Sequence, residues 1–158
     1  MPITLITTWA EYDSAVQEIL ALATHRLCIF DKDLARLKLE RPEPLSLLRR
    51  FLGAGPERTV QIALQDAGHL QRNCPRLMEL LAIHAHNLKI IECPTHLAEL
   101  SDALLIADAR HAVVRFHKDH ARAKTIINAA EECAPYQQRH DQILAEGGTP
   151  LTATTLGL

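Results

Sequence analysis

The stretch SDALLIADARHAVVRFHKDHARAKTIIN, residues 101–128, decides the fold class. Its aliphatic and β-branched runs are too short for buried helices and rich in strand formers. They predict three consecutive strands, over 103–107, 111–117 and 122–128. Polar turns at 108–110 and 118–121 separate the strands and make an antiparallel hairpin arrangement of them.

Working outward toward the N-terminus, helices and strands alternate. Thr8 with Glu11 three residues later has capping-box spacing, and Tyr12, Ala15, Val16, Ile19, Leu20 and Ala23 then share one helical face. This predicts a helix over 9–24. RLCIFD (26–31) reads as a short buried strand, and DKDLARLKLERPEP (31–44) as a long surface loop with one helical turn. Pro44 suits the first position of a second helix that buries Leu45, Leu48, Phe51 and Leu52 and ends near Gly53. TVQIAL (59–64) and LKIIE (88–92) are the next strands. Between them come a connector at 66–73 and a helix over 75–86 burying Leu77, Leu80, Leu81 and His84.

Downstream, a last helix starting at Pro135 buries Tyr136, His140, Ile143 and Leu144 and stops at Gly147–Gly148. Alternation followed by three adjacent strands argues an α/β fold: a single mixed sheet flanked by helices, with an antiparallel C-terminal hairpin. The expected domain covers residues 1–148, with a Thr-rich, irregular tail at 149–158.

Composition narrows the function classes. With 47% hydrophobic and 23% charged residues, the chain can bury one sizeable core and is not disordered. A formal net charge of −2 excludes a global positive field for nucleic acid and leaves only a local patch. Cys28, Cys74, Cys93 and Cys133 are far apart with no CxxC pair, which reads as reduced core thiols and a cytoplasmic protein. The opening MPITLITTWAEYD has neither the basic region nor the apolar run of a signal peptide, and no window is apolar enough to span a bilayer.

The order strand–turn–strand–turn–strand–helix over residues 101–146 resembles the end of one half of a phospholipase D superfamily protein. That family's signature is H-x-K-x-x-x-x-D, followed after a spacer by Gly-Ser and an Asn. The resemblance implies a nucleophilic histidine, a phosphate-binding lysine and an aspartate that supports the loop. Laid on this chain, the signature puts its Asp on Asp108, its His on Ser101 and its Lys on Ala103. Gly-Ser falls on Arg115–Phe116 and Asn on Lys118. Only the aspartate and the apolar strand pattern survive. The chain as a whole, with its ending TLGL, is similar to an uncharacterised bacterial domain group of the same fold.

The string His117-Lys118-Asp119 is a decoy: the family's His and Lys share a strand face two residues apart, whereas these three are neighbours at a turn. No H-x-K-x-x-x-x-D match occurs in the sequence. Covalent phosphodiester chemistry needs a nucleophile and a cationic clamp, and Ser101 and Ala103 supply neither imidazole nor ammonium. The resemblance therefore implies a fold without its catalytic residues: a non-catalytic binding or regulatory module. It also implies self-association, because one-half members of the family often dimerise.

Arg115, His117, Lys118, His120, Arg122 and Lys124 gather around the second turn. They are candidates to bind phosphate or a nucleic-acid backbone, and the rival reading is a solvated turn with Asp119 cancelling charge. Phe116 is expected in the core, so no stacking set accompanies them. An enzyme that uses His117 or His120 on phosphodiesters is the alternative function.

His84 and His86 point apart on a helix and cannot share an ion there, although on a strand they could, while Cys74, Cys93 and His96 lack a fourth ligand. No metal site is expected. Asp31 and Asp33 follow a strand end, where α/β folds place ligands, and read more plainly as a turn with a helix cap. Glu131 and Glu132 suit the start of the last helix. Gly53-Ala54-Gly55 lacks the rest of any nucleotide fingerprint, so no cofactor is expected.

Overall fold

In the computed structural model, which describes residues 2–153, eight strands form one mixed sheet. They are β1 (Ile3–Ile6), β2 (Arg26–Asp31), β3 (Thr59–Leu64), β4 (Leu88–Glu92), β5 (Ala103–Ala107), β6 (His111–Arg115), β7 (Ala123–Ile126) and β8 (Thr149–Pro150). Their order across the sheet is β1-β7-β6-β5-β2-β3-β4-β8. The central β2, β3 and β4 are parallel, and every other pairing is antiparallel. The helices are α1 (Trp9–Leu22), α2 (Pro42–Gly53), α3 (Gly68–Asn73), α4 (Pro75–Ile83) and α5 (Ala130–Ala145). The expected single mixed sheet flanked by helices is the observed one.

Strand alternation assigns the two faces of the sheet. Leu27 and Ile29 of β2, with Leu105 and Val113, pack in one core with residues of α1, α2 and α4. Cys28 and Phe30, with Leu104, Ile106 and Val114, pack in the other with Cys133 and Ile143 of α5. Consecutive residues of one strand thus serve opposite cores, and both faces of the central strands are covered. All four cysteines are free and buried.

The local signals behave as their physics requires. Thr8 accepts a bond from the Glu11 amide, and the Glu11 side chain returns to the Thr8 backbone, completing the capping box of α1. Helix α2 starts at Pro42 rather than Pro44, because both prolines fit a first turn whose N–H groups have no partner inside the helix.

Several expectations need correction. The loop 32–41 is not simply a surface loop: it contains a 3-10 turn, Ala35–Leu37, and Leu34, Leu37 and Leu39 are buried in the core of α1 and α2. Helix α4 ends at Ile83, so His84 sits half-buried at its C-cap instead of in a buried stripe. Helix α5 begins at Ala130, with Pro135 inside it. Pro135 and Glu131 are both exposed, so water can take the carbonyl that proline leaves without a donor. Thr149 and Pro150, expected to be irregular, pair with Glu92 and Ile91. Residues 154–158 of the expected tail, including TLGL, lie outside the described residues.

Candidate functional site

At one edge of the sheet β2, β3, β4 and β6 end while β5 and β7 begin. Asp31, Gln65, Ser101, Ala103 and Arg115 meet along this upper edge. The register pairs Ala103 directly with Arg115 across the β5–β6 ladder, so their side chains share a face. Ala103 is the position the family signature gives to its lysine. Its neighbour supplies the cation instead.

That cation is turned inward. Arg115 and Asp31 are each 1% exposed, and Nη2 of Arg115 donates to Oδ1 of Asp31 over 2.8 Å. The second carboxylate oxygen accepts the Leu34 amide at 2.8 Å, holding the start of the loop, where Leu34 adopts φ 71°. The guanidinium carbon lies 5.0 Å from the Tyr12 ring centroid and 5.5 Å from that of Trp9. Nε and Nη1 of Arg115 have no hydrogen-bond partner, so the rings take their place. Burial pushes the Asp31 carboxyl above its ordinary range, while the Arg115 charge and the Leu34 amide pull it down. Tyr12 is likewise raised by burial, against the Arg115 charge.

The segment carrying the signature's histidine position is tied down from three sides. The Lys118 amide donates to the Ser101 carbonyl. Gln65 Nε2 donates to the carbonyls of Leu97 and Leu100 at 2.9 and 2.7 Å, and its Oε1 accepts from Lys118 Nζ at 3.4 Å. Arg139 of α5 forks onto Asp102 with two bonds of 2.7 Å. The loop that leads into β5 is thereby fixed against both β3 and α5.

The six predicted cationic residues are not one patch. Arg115 is buried on the α1 face, as its strand parity requires. Lys124 lies on the α5 face with its ammonium 4.9 Å from the Tyr136 ring centroid. His117, Lys118 and His120 occupy the connecting loop, where the Asp119 amide donates to Nδ1 of His117 and the two imidazoles stand 5.1 Å apart. Arg122 is exposed, and its side chain has no hydrogen-bond or ion-pair partner among the described residues. Phe116, expected in the core, is 43% exposed. It directly follows β6, which ends at Arg115.

Asp108, the one signature residue retained, lies at the opposite edge of the sheet. Its Oδ1 accepts the amides of His25 and Arg26 at 2.7 and 2.9 Å; Oδ2 accepts the Thr24 amide and hydroxyl, each at 2.9 Å. Burial would raise its carboxyl, but these bonds outweigh that and hold it below the ordinary value. Asp108 ties the turn after β5 to the entry of β2, a structural task. Behind α5, His140 is fully buried with Nε2 3.0 Å from the Ile29 carbonyl, and burial lowers its pKa. Among the described residues no three His, Cys, Asp or Glu side chains converge to hold a metal ion. No helix there is long and apolar enough to cross a membrane.

The Asp31–Arg115 pair was the feature sequence reasoning missed. A signal existed: RLCIFD and HAVVR each end an otherwise apolar strand in a charge, and buried opposite charges must find each other.

The domain family described as "Domain of unknown function (DUF7931)" matches residues 8–149, and the chain belongs to it. No curated protein matches the sequence. Among solved structures, an archaeal chromatin protein, TrmBL2, described as showing a novel mode of DNA binding, superposes with a TM-score of 0.68. Identity is 13%, over 94% of this chain and 54% of that one, so the chain spans about half of the chromatin protein. Nuc from Salmonella typhimurium, a phospholipase D family member, gives 0.61 at 10% identity, over 95% of this chain and 97% of its own. NucT from Helicobacter pylori gives 0.56 at 10%, over 93% and 98%. These identities speak for the fold alone, and the fold is phospholipase D-like.

Proposed function

We propose that this member of the family is a non-catalytic phospholipase D-like domain, a binding or regulatory module and not a phosphodiester-cleaving enzyme. The observation that carries the reading is the buried Asp31–Arg115 pair opposite Ala103. A phosphate clamp must offer its cation to a ligand. Here the cation nearest the signature's lysine position is 1% exposed and already neutralised by a carboxylate. Ser101 stands where the nucleophile belongs, on a segment anchored by Lys118, Gln65 and Arg139.

The ligand suggested by the remaining cations is an anion of the phosphate class, contacted from the β6–β7 connection by His117, Lys118, His120 and Arg122. TrmBL2, about half of which superposes on this chain, is a chromatin protein described as binding DNA, which is in keeping with this choice. Self-association and a cytoplasmic setting with reduced thiols complete the proposal, the latter supported by four free buried cysteines. A concentration series in sedimentation velocity tests association, and a strict monomer removes that part.

The central test is turnover. Bis(p-nitrophenyl) phosphate, phosphatidylcholine and an oligonucleotide are incubated with the protein, with and without divalent cations. The expected result is no product above the blank. Turnover that disappears in His117→Ala or His120→Ala overturns the proposal in favour of an enzyme.

A further inference from the structure

The register of the outer strands places an aromatic and cationic row on the α5 face of the sheet. Phe116 donates its amide to the Arg122 carbonyl, so the two residues are cross-strand neighbours. The next pair on the same face is Val114 with Lys124, and Lys124 in turn faces Leu5 of β1. Strand parity agrees: Val114 packs in the α5 core, and Arg122 and Lys124 are two residues apart on one strand, hence on one side. Tyr136 of α5 closes the row beneath the Lys124 ammonium. Phe116 at 43% and Leu5 at 70% are exposed, and the Arg122 side chain has no hydrogen-bond or ion-pair partner among the described residues.

The geometry points to a binding platform for single-stranded nucleic acid across Phe116, Arg122, Lys124 and Tyr136. It rests on the binding-module reading above and names the ligand class. An exposed ring flanked by the free Arg122 and by Lys124, whose ammonium is held only by the Tyr136 ring, meets both parts of a single strand: the ring takes a base face, and the cations take phosphates. Arg122 and Lys124 stand about 7 Å apart along the strand, a spacing that suits successive phosphates of an extended chain. A duplex hides its base faces and gains nothing from Phe116. On this face, among the described residues, a bilayer would find Phe116 and Leu5 as the exposed large hydrophobics to insert, with a cation row between them. The site differs from the signature's histidine and lysine positions, Ser101 and Ala103, which lie in the loop before β5 and on the α1 face.

Fluorescence anisotropy with a short labelled oligothymidylate tests the platform. The same oligomer annealed to oligoadenylate and phosphatidylserine vesicles are the competitors. The expected result is preference for the single strand, with affinity falling about sevenfold between about 50 and about 200 mM salt, as two phosphate contacts on a single strand require. Phe116→Ala weakens binding by roughly fivefold or more, while Phe116→Tyr retains it. Arg122→Gln with Lys124→Gln removes most of the salt dependence. These side chains lie on the surface, and an unchanged melting temperature shows that the variants are folded. Absence of binding, equal or tighter binding of the duplex, preference for vesicles, or a folded Phe116→Ala that binds as wild type overturns the platform. Cleavage of the bound oligomer would overturn the non-catalytic reading instead, so the two failures are distinct.

Discussion

Replacing Arg115 with methionine keeps most of the side-chain volume against Trp9 and Tyr12 and deletes the charge. Asp31, 1% exposed, then keeps its carboxylate among apolar neighbours with only backbone amides, those of Leu34 and Lys32, as partners. Removing one member of a buried ion pair costs about 3–5 kcal/mol, a large share of the roughly 5–15 kcal/mol that holds a domain together. At about 2–4 °C per kcal/mol for a chain of this size, the melting temperature falls by roughly 6–20 °C. The variant also gains a pH signature. Its Asp31 carboxyl is raised further than in the native protein, so the folded state holds a proton that the unfolded state releases. Stability of Arg115→Met therefore falls as pH rises from about 4, the unfolded carboxylate value, through the raised folded value. Adding Asp31→Asn removes the buried charge and leaves an acceptor for Leu34, so the double variant recovers most of the loss. Urea denaturation followed by circular dichroism, at pH 5 and pH 8, reads all three quantities. A single-variant loss below about 1 kcal/mol, or a double variant that merely adds the two single losses, would refute the claim that this pair carries the upper edge.

Three further outcomes follow from the same geometry. Asp108→Ala strips four hydrogen bonds from the entry to β2 and is expected to cost about 2 kcal/mol in urea denaturation, with Asp108→Asn losing less. Acid weakens the native protein: burial lowers His140 and hydrogen bonds lower Asp108 in the fold. The His140 contribution is present above its unfolded pKa of about 6.5 and is lost as pH falls through the folded value. The Asp108 contribution goes later, below about 4, so denaturation at about pH 7.5, 5, 4 and 2.5 should show two successive declines, the second between the last two. Leu48→Ala, in the fully buried stripe of α2, should cost about 2–5 kcal/mol, and a smaller loss would mean that α2 can collapse onto the cavity.

Elements that bury a full face announced themselves. The α1 stripe, the apolar β2 and β3 runs and the 103–126 strands could be read because each repeats its period over enough residues to be distinctive. The edges could not. Strand β1 has four residues and buries only Ile6 fully, so its alternation carries almost no signal. Strand β8 is defined by where Gly147 and Gly148, both at positive φ, turn the chain back onto β4, and that is a tertiary fact. The start of α5 was placed late because proline usually marks a first turn, and here an exposed Pro135 is tolerated further in. The site divides in the same way. Charges in the 115–124 segment were visible, but which face each one takes depends on register, and register separated Arg115 from Arg122 and Lys124.

That separation has a consequence for how such a sheet handles charge. Strands β6 and β7 bring cations to the upper edge on both faces, at Arg115 on one and at Arg122 and Lys124 on the other. On the α1 face the cation is 1% exposed, lies against Trp9 and Tyr12, and is already bonded to Asp31. Burying it unpaired would be far costlier than burying it with Asp31, so a free phosphate competing for Arg115 would have to expel Asp31 and leave that charge stranded in turn. On the α5 face Phe116 and Arg122 are both exposed, and Arg122 keeps its charge available to solvent. The anion proposed above is therefore expected at the exposed Arg122, away from the α1 face, and not at the buried Arg115.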